Sequence, residues 1–435
     1  MMKKLSKIFL LIALAAALAG CGRPNRGGNT AVEGKDTVKT EQIKPLINVY
    51  IENSGSMDGY VKGNTEFKGA IRDLLVMLKY HYDESNIKIF FINSDVHPTA
   101  TDIDLTTFAQ VINVHWRTGN RSNTNLNHIF KMILDKTDKR TVSLLFSDCI
   151  YSIKGTDTDG LLSSEKSLTK DAFQSKWKTD SIPLATIIMK MKSKFDGTYY
   201  PYTGSGTSFS VKKELPYYIC IVGNNNIMHD FNKTMELKKG KIEGFENKYI
   251  LSPSKSTDIY WSVLQTSFNQ GRFKPDRTKS GADYIHGIED VNLTRGVNQL
   301  SFAIAVDFSE IQEENDYIVN PANYAVTTDN FTVTEIAPID KSKIKPNDWN
   351  RIGKNNPTHV IILEAKSKAA SSLSLALQKQ TPQWVMESNT EDDTSPEKLG
   401  SKTFGLKYWV GGITEAFQKI YPHDKNHFEC SISIK

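Results

Sequence analysis

From Pro45 to about Gly240, short apolar runs alternate with stretches whose apolar residues recur every three or four positions. Continuous or alternating runs of four to eight residues predict strands, and recurrence at i, i+3, i+4 and i+7 predicts helices with one buried face. Strands are expected at Leu46–Ile51, Ile87–Asn93, Thr141–Phe146 and Tyr217–Val222. Helices are expected around Ile71, Leu74, Leu75 and Leu78, around Leu126, Ile129, Phe130, Ile133 and Leu134, around Leu184, Ile187, Ile188 and Met191 (opened by Pro183), and over Asn226–Leu237. Strands alternating with helices make an α/β doubly wound domain, a parallel sheet covered on both faces.

Beyond Gly240 the period shortens to two. Leu300, Phe302, Ile304, Val306 and Phe308 take alternate positions, as do Leu373, Leu375 and Leu377 and then Phe428, Cys430, Ile432 and Ile434, with further runs at Phe331–Val333 and His359–Glu364. These read as half-buried antiparallel strands. One helix is expected near Phe404–Ile420, so residues 241–435 read as a mostly β, sandwich-like C-terminal domain with one packed helix.

The N-terminus has a different character. Lys3, Lys4 and Lys7 precede an apolar run from Ile8 to Ala19 and the small-residue site Leu18-Ala19-Gly20-Cys21. A charged start, a short apolar run and small residues form a signal peptide, and the run is shorter than the roughly 20 residues a spanning helix needs. A cysteine directly after the small residues resembles the lipobox of bacterial lipoproteins. The resemblance implies cleavage after residue 20, lipidation (palmitate among the acyl chains) on Cys21, and a membrane-anchored protein. Residues 21–44 are polar, rich in Gly, Asn and Thr, and read as a flexible tether. With no Asp beside Cys21 and no acidic cluster after it, the expected anchor is the outer membrane facing the periplasm, with surface exposure as the alternative.

Charge and cysteine usage narrow the picture. The formal charge of +5 falls to about +2 without the three leader lysines, and no basic stripe is present, so nucleic acid is not an expected partner. Cys149, Cys220 and Cys430 sit in apolar runs without metal-ligand spacing and read as core residues.

In a doubly wound sheet, function gathers beyond the carboxyl ends of the strands. After the first strand comes Glu52-Asn53-Ser54-Gly55-Ser56-Met57-Asp58-Gly59, after the strand ending at Phe146 comes Ser147-Asp148, and between them lies Ser122-Asn123-Thr124-Asn125-Leu126. Carboxylates and hydroxyls without nitrogen or sulfur suit hard cations. The chain here resembles the von Willebrand factor type A (vWA) domain over about residues 45–240. Its metal-ion-dependent adhesion site (MIDAS) has the form Asp-x-Ser-x-Ser, then Thr, then Asp. The resemblance implies that Ser54, Ser56 and Thr124 bind a divalent cation directly, Mg²⁺ first with Mn²⁺ or Ca²⁺ as alternatives, and that Glu52 and Asp148 act largely through bound water. It further implies an open position that accepts an acidic side chain from a partner protein. Glu52 departs from the family's Asp and reaches about 1.5 Å further.

Other signals are weaker. Asp157-Thr158-Asp159-Gly160 lacks the remaining ligands of a calcium loop and reads as a turn; His423 and His427 read as surface histidines; Glu391-Asp392-Asp393 reads as a solvated loop; Asp58 reads as part of its turn. Tyr199, Tyr200 and Tyr202, with a Gly-Ser-Gly turn at 204–206, suggest a hairpin whose tyrosines either form a recognition surface or pack it down. No nucleophile elbow, phosphate loop or Cys/His pair is present, so an enzyme is not expected. Two readings remain: an envelope lipoprotein binding a partner protein through a divalent cation, and a metal-free structural or assembly scaffold lipoprotein.

Overall fold

The computed structural model describes residues 44–99, 104–122, 124–202, 208–254, 258–296, 299–328, 330–365 and 372–435. The signal peptide, Cys21, nearly all of the tether and the turn at 204–206 lie outside the described residues.

The first half begins with strand β1 (Leu46–Glu52), helix α1 (Glu66–His81), strands β2 (Ile87–Ile92) and β3 (Val96–Pro98), helices α2 (Phe108–His115) and α3 (Leu126–Lys136), and strand β4 (Thr141–Ser147). Helix α4 (Thr158–Asp180), the long strands β5 (Leu184–Tyr199) and β6 (Phe209–Asn224), helix α5 (Asn225–Met235) and strand β7 (Phe245–Leu251) follow. The strands form one sheet in the order β3-β2-β1-β4-β6-β5-β7. β2, β1 and β4 run parallel, with Val49 registered between Ile89 and Leu144, while β6, β5 and β7 pair antiparallel. One face is covered by α1, α2 and α5 through residues such as Phe67, Ile71, Phe108 and Phe231, the other by α3 and α4 through Phe130 and Phe173.

The helix expected over Leu184–Met191 is a strand, the start of β5. Every residue from Leu184 to Met191 is buried, because this stretch lies between β6 and β7 with both faces covered. A segment buried all round carries no period that separates strand from helix. The second helix on that face is α4, started by Asp157, whose carboxylate accepts from Gly160 N at 3.0 Å. The residues expected to form only a turn therefore cap a helix. Only Leu162, Thr169 and Phe173 of its 23 residues are buried, which explains why its apolar pattern is faint.

Past Leu251 come β8 (Trp261–Leu264), β9 (Arg272–Pro275), β10 (Gly287–Asn292), β11 (Leu300–Val306), the helical turn α6 (Asn315–Ile318), β12 (Tyr324–Val326), β13 (Phe331–Pro338), α7 (Pro346–Ile352), β14 (His359–Ala365) and β15 (Ser372–Gln378). The short turn α8 (Gln383–Glu387) precedes the two-residue strand β16 (Asn389–Thr390), and the turn α9 (Pro396–Leu399) separates it from β17 (Thr403–Phe404), before α10 (Leu406–Ile420) and β18 (Asn426–Ile434). Sheets β12-β15-β18-β10-β9 and β13-β14-β11-β8 share one core, in which Phe302, Ile304 and Leu363 meet Leu373, Leu375 and Phe428. This is the expected two-sheet arrangement.

Helix α10 does not pack in that sandwich. Leu406, Trp409, Val410, Ile413 and Phe417 join Phe130, Phe173, Leu184, Tyr218 and Cys220 on the open face of the first sheet, beside α4. The boundary expected at Gly240 is thus crossed twice, by β7 completing the first sheet and by α10 returning to it, and the described residues form one compact unit. Cys149, Cys220 and Cys430 are free and buried, as core residues should be.

Asp348 organises the loop after β8. Its buried carboxylate accepts from the backbone N–H groups of Gln265, Thr266 and Ser267 at 2.7–2.9 Å and from both hydroxyls of Thr266 and Ser267 at 2.7–2.8 Å. Burial raises the pKa of this carboxyl, but the bonds from Ser267 and Thr266 outweigh it and hold it below the usual range. Asp348→Ala leaves these donors unmet and should lower the unfolding free energy by about 2–4 kcal/mol, read from urea denaturation. An unchanged urea midpoint would refute this role.

Candidate functional site

Three chain segments converge at the carboxyl ends of β1 and β4. β1 delivers Glu52 and runs into a loop of 3-10 turns over Gly55–Tyr60. Asn53 ties that loop down: its side-chain nitrogen donates to the carbonyls of Trp116 (2.8 Å) and Thr118 (2.9 Å), and its side-chain oxygen accepts from Asn93 at 2.9 Å. Arg121 completes the tie. Its Nε donates to Asn53 O at 2.6 Å and Nη2 to Ser54 O at 3.3 Å, its own carbonyl accepts from Gly55 N at 3.2 Å, and its guanidinium pairs with Asp58, which also accepts from Trp116 Nε1 at 2.7 Å. Asp58 is therefore a fastening of the loop, as its turn reading anticipated, and these bonds place Thr124, just ahead of α3, beside the serines.

Ser54, Ser56, Thr124, Glu52 and Asp148 line one cavity of about 320 Å³ together with Arg121, Ser152, Tyr199 and Tyr200. Ser54 Oγ and Ser56 Oγ stand 3.0 Å apart. Glu52 hydrogen-bonds to Ser147 Oγ, which also accepts from Cys149 N at 2.9 Å. Asp148 accepts from Ile150 N at 3.2 Å, and the chain turns directly after it, Cys149 taking a left-handed φ of 52° that non-glycine residues rarely adopt.

Glu52 and Asp148 are both buried, and the electrostatics follow from that. Burial, then the neighbouring Asp148, pushes the Glu52 carboxyl up to about 8, against the hydrogen bonds from Ser147 and Ser54. Burial also raises Asp148, against a hydrogen bond from Ser56. Two carboxyl groups that resist ionising together lose that penalty beside a cation. Thr124 Oγ1 is buried with no hydrogen-bond partner, so its lone pairs are free to accept. This orphaned hydroxyl, the paired serine hydroxyls and the two crowded carboxyls fit a hard divalent cation. Among the described residues no group of three or more His, Cys, Asp or Glu is placed to hold a metal ion, and this set holds two carboxyls beside its hydroxyls.

One wall comes from the β5–β6 hairpin. It meets the serine loop where Gly197 approaches Gly59: a Cβ on Gly197 would lie 2.8 Å from Gly59 Cα, and one on Gly59 would lie 2.5 Å from the Phe195 ring. Tyr200 then lies over Gly55 and is half exposed, Tyr199 donates to Asp393 Oδ2 at 2.8 Å, and Tyr202 N donates to Asp393 Oδ1 at 3.1 Å while its ring stacks on Phe404 at 4.3 Å. Asp393 is fully buried, so the acidic run is corrected from a solvated loop: Glu391 and Asp392 pair with Lys407 and Lys398, and Asp393 clamps the hairpin. Tyr199 and Tyr202 pack the hairpin down, and Tyr200 alone of the three faces solvent by half. His427 is likewise not a surface residue; its side chain is 14% exposed and lies 3.5 Å from Glu313.

Sequence reasoning missed Arg121, Ser152 and the role of Ser147. Ser147 and Asn53 lie within the segments that drew attention, but no spacing marks Arg121 as the link between the two hydroxyl-bearing loops. No family model matches the chain, and neither does any curated protein or solved structure.

Proposed function

We propose that the protein is a membrane-anchored envelope lipoprotein whose first sheet is a vWA-type domain, and that it binds a partner protein through a divalent cation at this cavity. The observation that carries the reading is the convergence of five oxygen-bearing side chains, chosen by resemblance to the vWA motif, around one cavity in which Thr124 Oγ1 lacks a partner. Ser54, Ser56 and Thr124 would hold the cation, Mg²⁺ first, with Glu52 and Asp148 balancing its charge, largely through water. The cation, when bound, supplies a Lewis-acid position for an acidic side chain of the partner. Arg121 and Asp58 keep the two hydroxyl loops in register, and Tyr200 forms the rim that such a partner would touch. The lipid on Cys21 would confine this binding to a membrane surface, the outer membrane facing the periplasm being the preferred site.

Calorimetric titration of metal-stripped protein with Mg²⁺, Mn²⁺ and Ca²⁺ tests the reading. Saturable binding is expected, weakened by at least about 100-fold in the Ser54→Ala/Ser56→Ala variant. Absence of binding at millimolar ion in the wild type would sink it and favour the metal-free scaffold lipoprotein.

A further inference from the structure

A second cavity, of about 90 Å³, lies where β5, β7 and α5 meet the loop Glu310–Glu313 and the start of β18. Ile187, Met228, Ile250, Ile259 and Ile311 make its apolar wall, and polar residues, Lys379 and His427 among them, the remainder. Glu313 also lines it, with a side chain only 4% exposed. A buried carboxyl ordinarily has a cation or several donors to itself. Glu313 has no lysine or arginine within ion-pair distance among the described residues, and the positive charges of Lys248 and Lys379, the latter also at the cavity wall, act on it only from further away. Its one close partner is His427 Nε2 at 3.5 Å, beyond good hydrogen-bond length.

The neighbouring cations are committed elsewhere. Lys379 Nζ sits 2.8 Å from both Asp424 oxygens and 2.8 Å from Ser252 O. Lys248 Nζ sits 2.8 Å from Glu314 and 2.9 Å from Leu237 O, and Lys233 and His229 lie against Glu310 at 3.5 Å and 3.3 Å. His427 contributes no charge, since burial, then Lys379, holds it down to about 3. Burial pushes Glu313 up to about 8, against the positive charges of Lys248 and Lys379, as expected of a carboxyl with no cation in direct contact.

We propose that this cavity binds a small primary ammonium group, with the Glu313 carboxylate as its counter-ion and the isoleucine and methionine walls taking a few methylenes. An ammonium has three N–H donors and no acceptor. Beside Glu313 the lining offers Asn225, whose amide nitrogen is spent on Pro253 O at 3.3 Å, leaving its Oδ1 to accept. Glu310 at the same cavity adds a second negative charge. A free alkylamine and the tip of a lysine side chain carry the same chemistry, and both arms belong in the test.

The full chain, purified in detergent at pH 8, is titrated by calorimetry with n-butylamine, with a short lysine-containing peptide, and with tetramethylammonium as a cation lacking N–H donors. Saturable binding is expected for the amine, the peptide or both, at least tenfold weaker for tetramethylammonium and for Glu313→Gln, and unchanged in the Ser54→Ala/Ser56→Ala variant, which separates this site from the metal cavity. Glu313→Gln keeps shape and removes charge. Should it fail to fold, Ile259→Trp, which fills the cavity from its half-buried wall, is expected to abolish binding. No saturation by either ammonium source at millimolar concentration, or equal binding by wild type and variant, overturns the proposal.

Discussion

Trp409→Ala is expected to destabilise the chain by about 3–5 kcal/mol, the usual cost of emptying a large buried aromatic site. Trp409 is fully buried, with its ring 5.6 Å from Phe130 and 5.9 Å from Tyr218. It comes from the C-terminal part of the sequence yet completes the core beneath α3, α4 and β6. The loss should therefore appear in the first sheet as well as in the sandwich: urea unfolding followed by circular dichroism should show one transition moved to lower urea. A chain cut after Gly240 should fail to fold for the same reason, leaving Phe130, Phe173 and Tyr218 uncovered. If Trp409→Ala leaves the melting of the first sheet untouched, α10 is not the cover described here.

Stability should also fall as pH rises from about 6.5 to 8; below that the two buried carboxyls are opposed by His427, which burial holds down to about 3 against an ordinary 6.5 and which therefore adds stability as pH rises to its ordinary value. Glu52 and Glu313 each have a folded pKa raised to about 8, chiefly by burial, against an ordinary value of 4.5. Across that window the folded chain holds protons that the unfolded chain has released, so the stabilisation is complete below the ordinary value and is lost as pH passes the folded one. The loss for each group is on the order of a few kcal/mol at pH 8. Glu52→Gln and Glu313→Gln should each flatten part of the slope, and the double variant most of it. Mg²⁺ at 100 times its Kd should return about 2.7 kcal/mol to the wild type at pH 8. It should return none to Ser54→Ala/Ser56→Ala. Urea midpoints across pH 4–9 read all of these, and a wild type whose stability rises steadily to pH 8 would contradict the assignment of both carboxyls.

The proposed metal site was legible in the sequence to an unusual degree for a physical reason: its residues follow the carboxyl ends of adjacent parallel strands, β1 and β4, where the topology itself brings loops together. That topology points to three loops; the choice of Glu52, Ser54, Ser56, Thr124 and Asp148 within them came from the resemblance to the vWA motif. The alternation in β15 and β18 was legible likewise, because a strand with one face to the core writes its burial into every second residue, whereas β11, expected half-buried, is buried on both faces, with Ala303 and Ala305 packed on the side away from the sandwich core.

What the sequence determined by itself is therefore local: strands with one dry face, helices α1 and α3 with strong apolar stripes, and the chemistry of the residues that end them. The tertiary structure alone decided what depends on distant neighbours. Leu184–Met191 became a strand because β6 and β7 cover its flanks, α4 was set by a mere three buried residues, and α10 left the sandwich for the first sheet. Asp393 and His427 are polar residues that local sequence assigns to solvent, yet Tyr199 and Glu313, far along the chain, meet them inside. Burial of a polar group is settled by a partner's position, and periodicity carries no record of that partner.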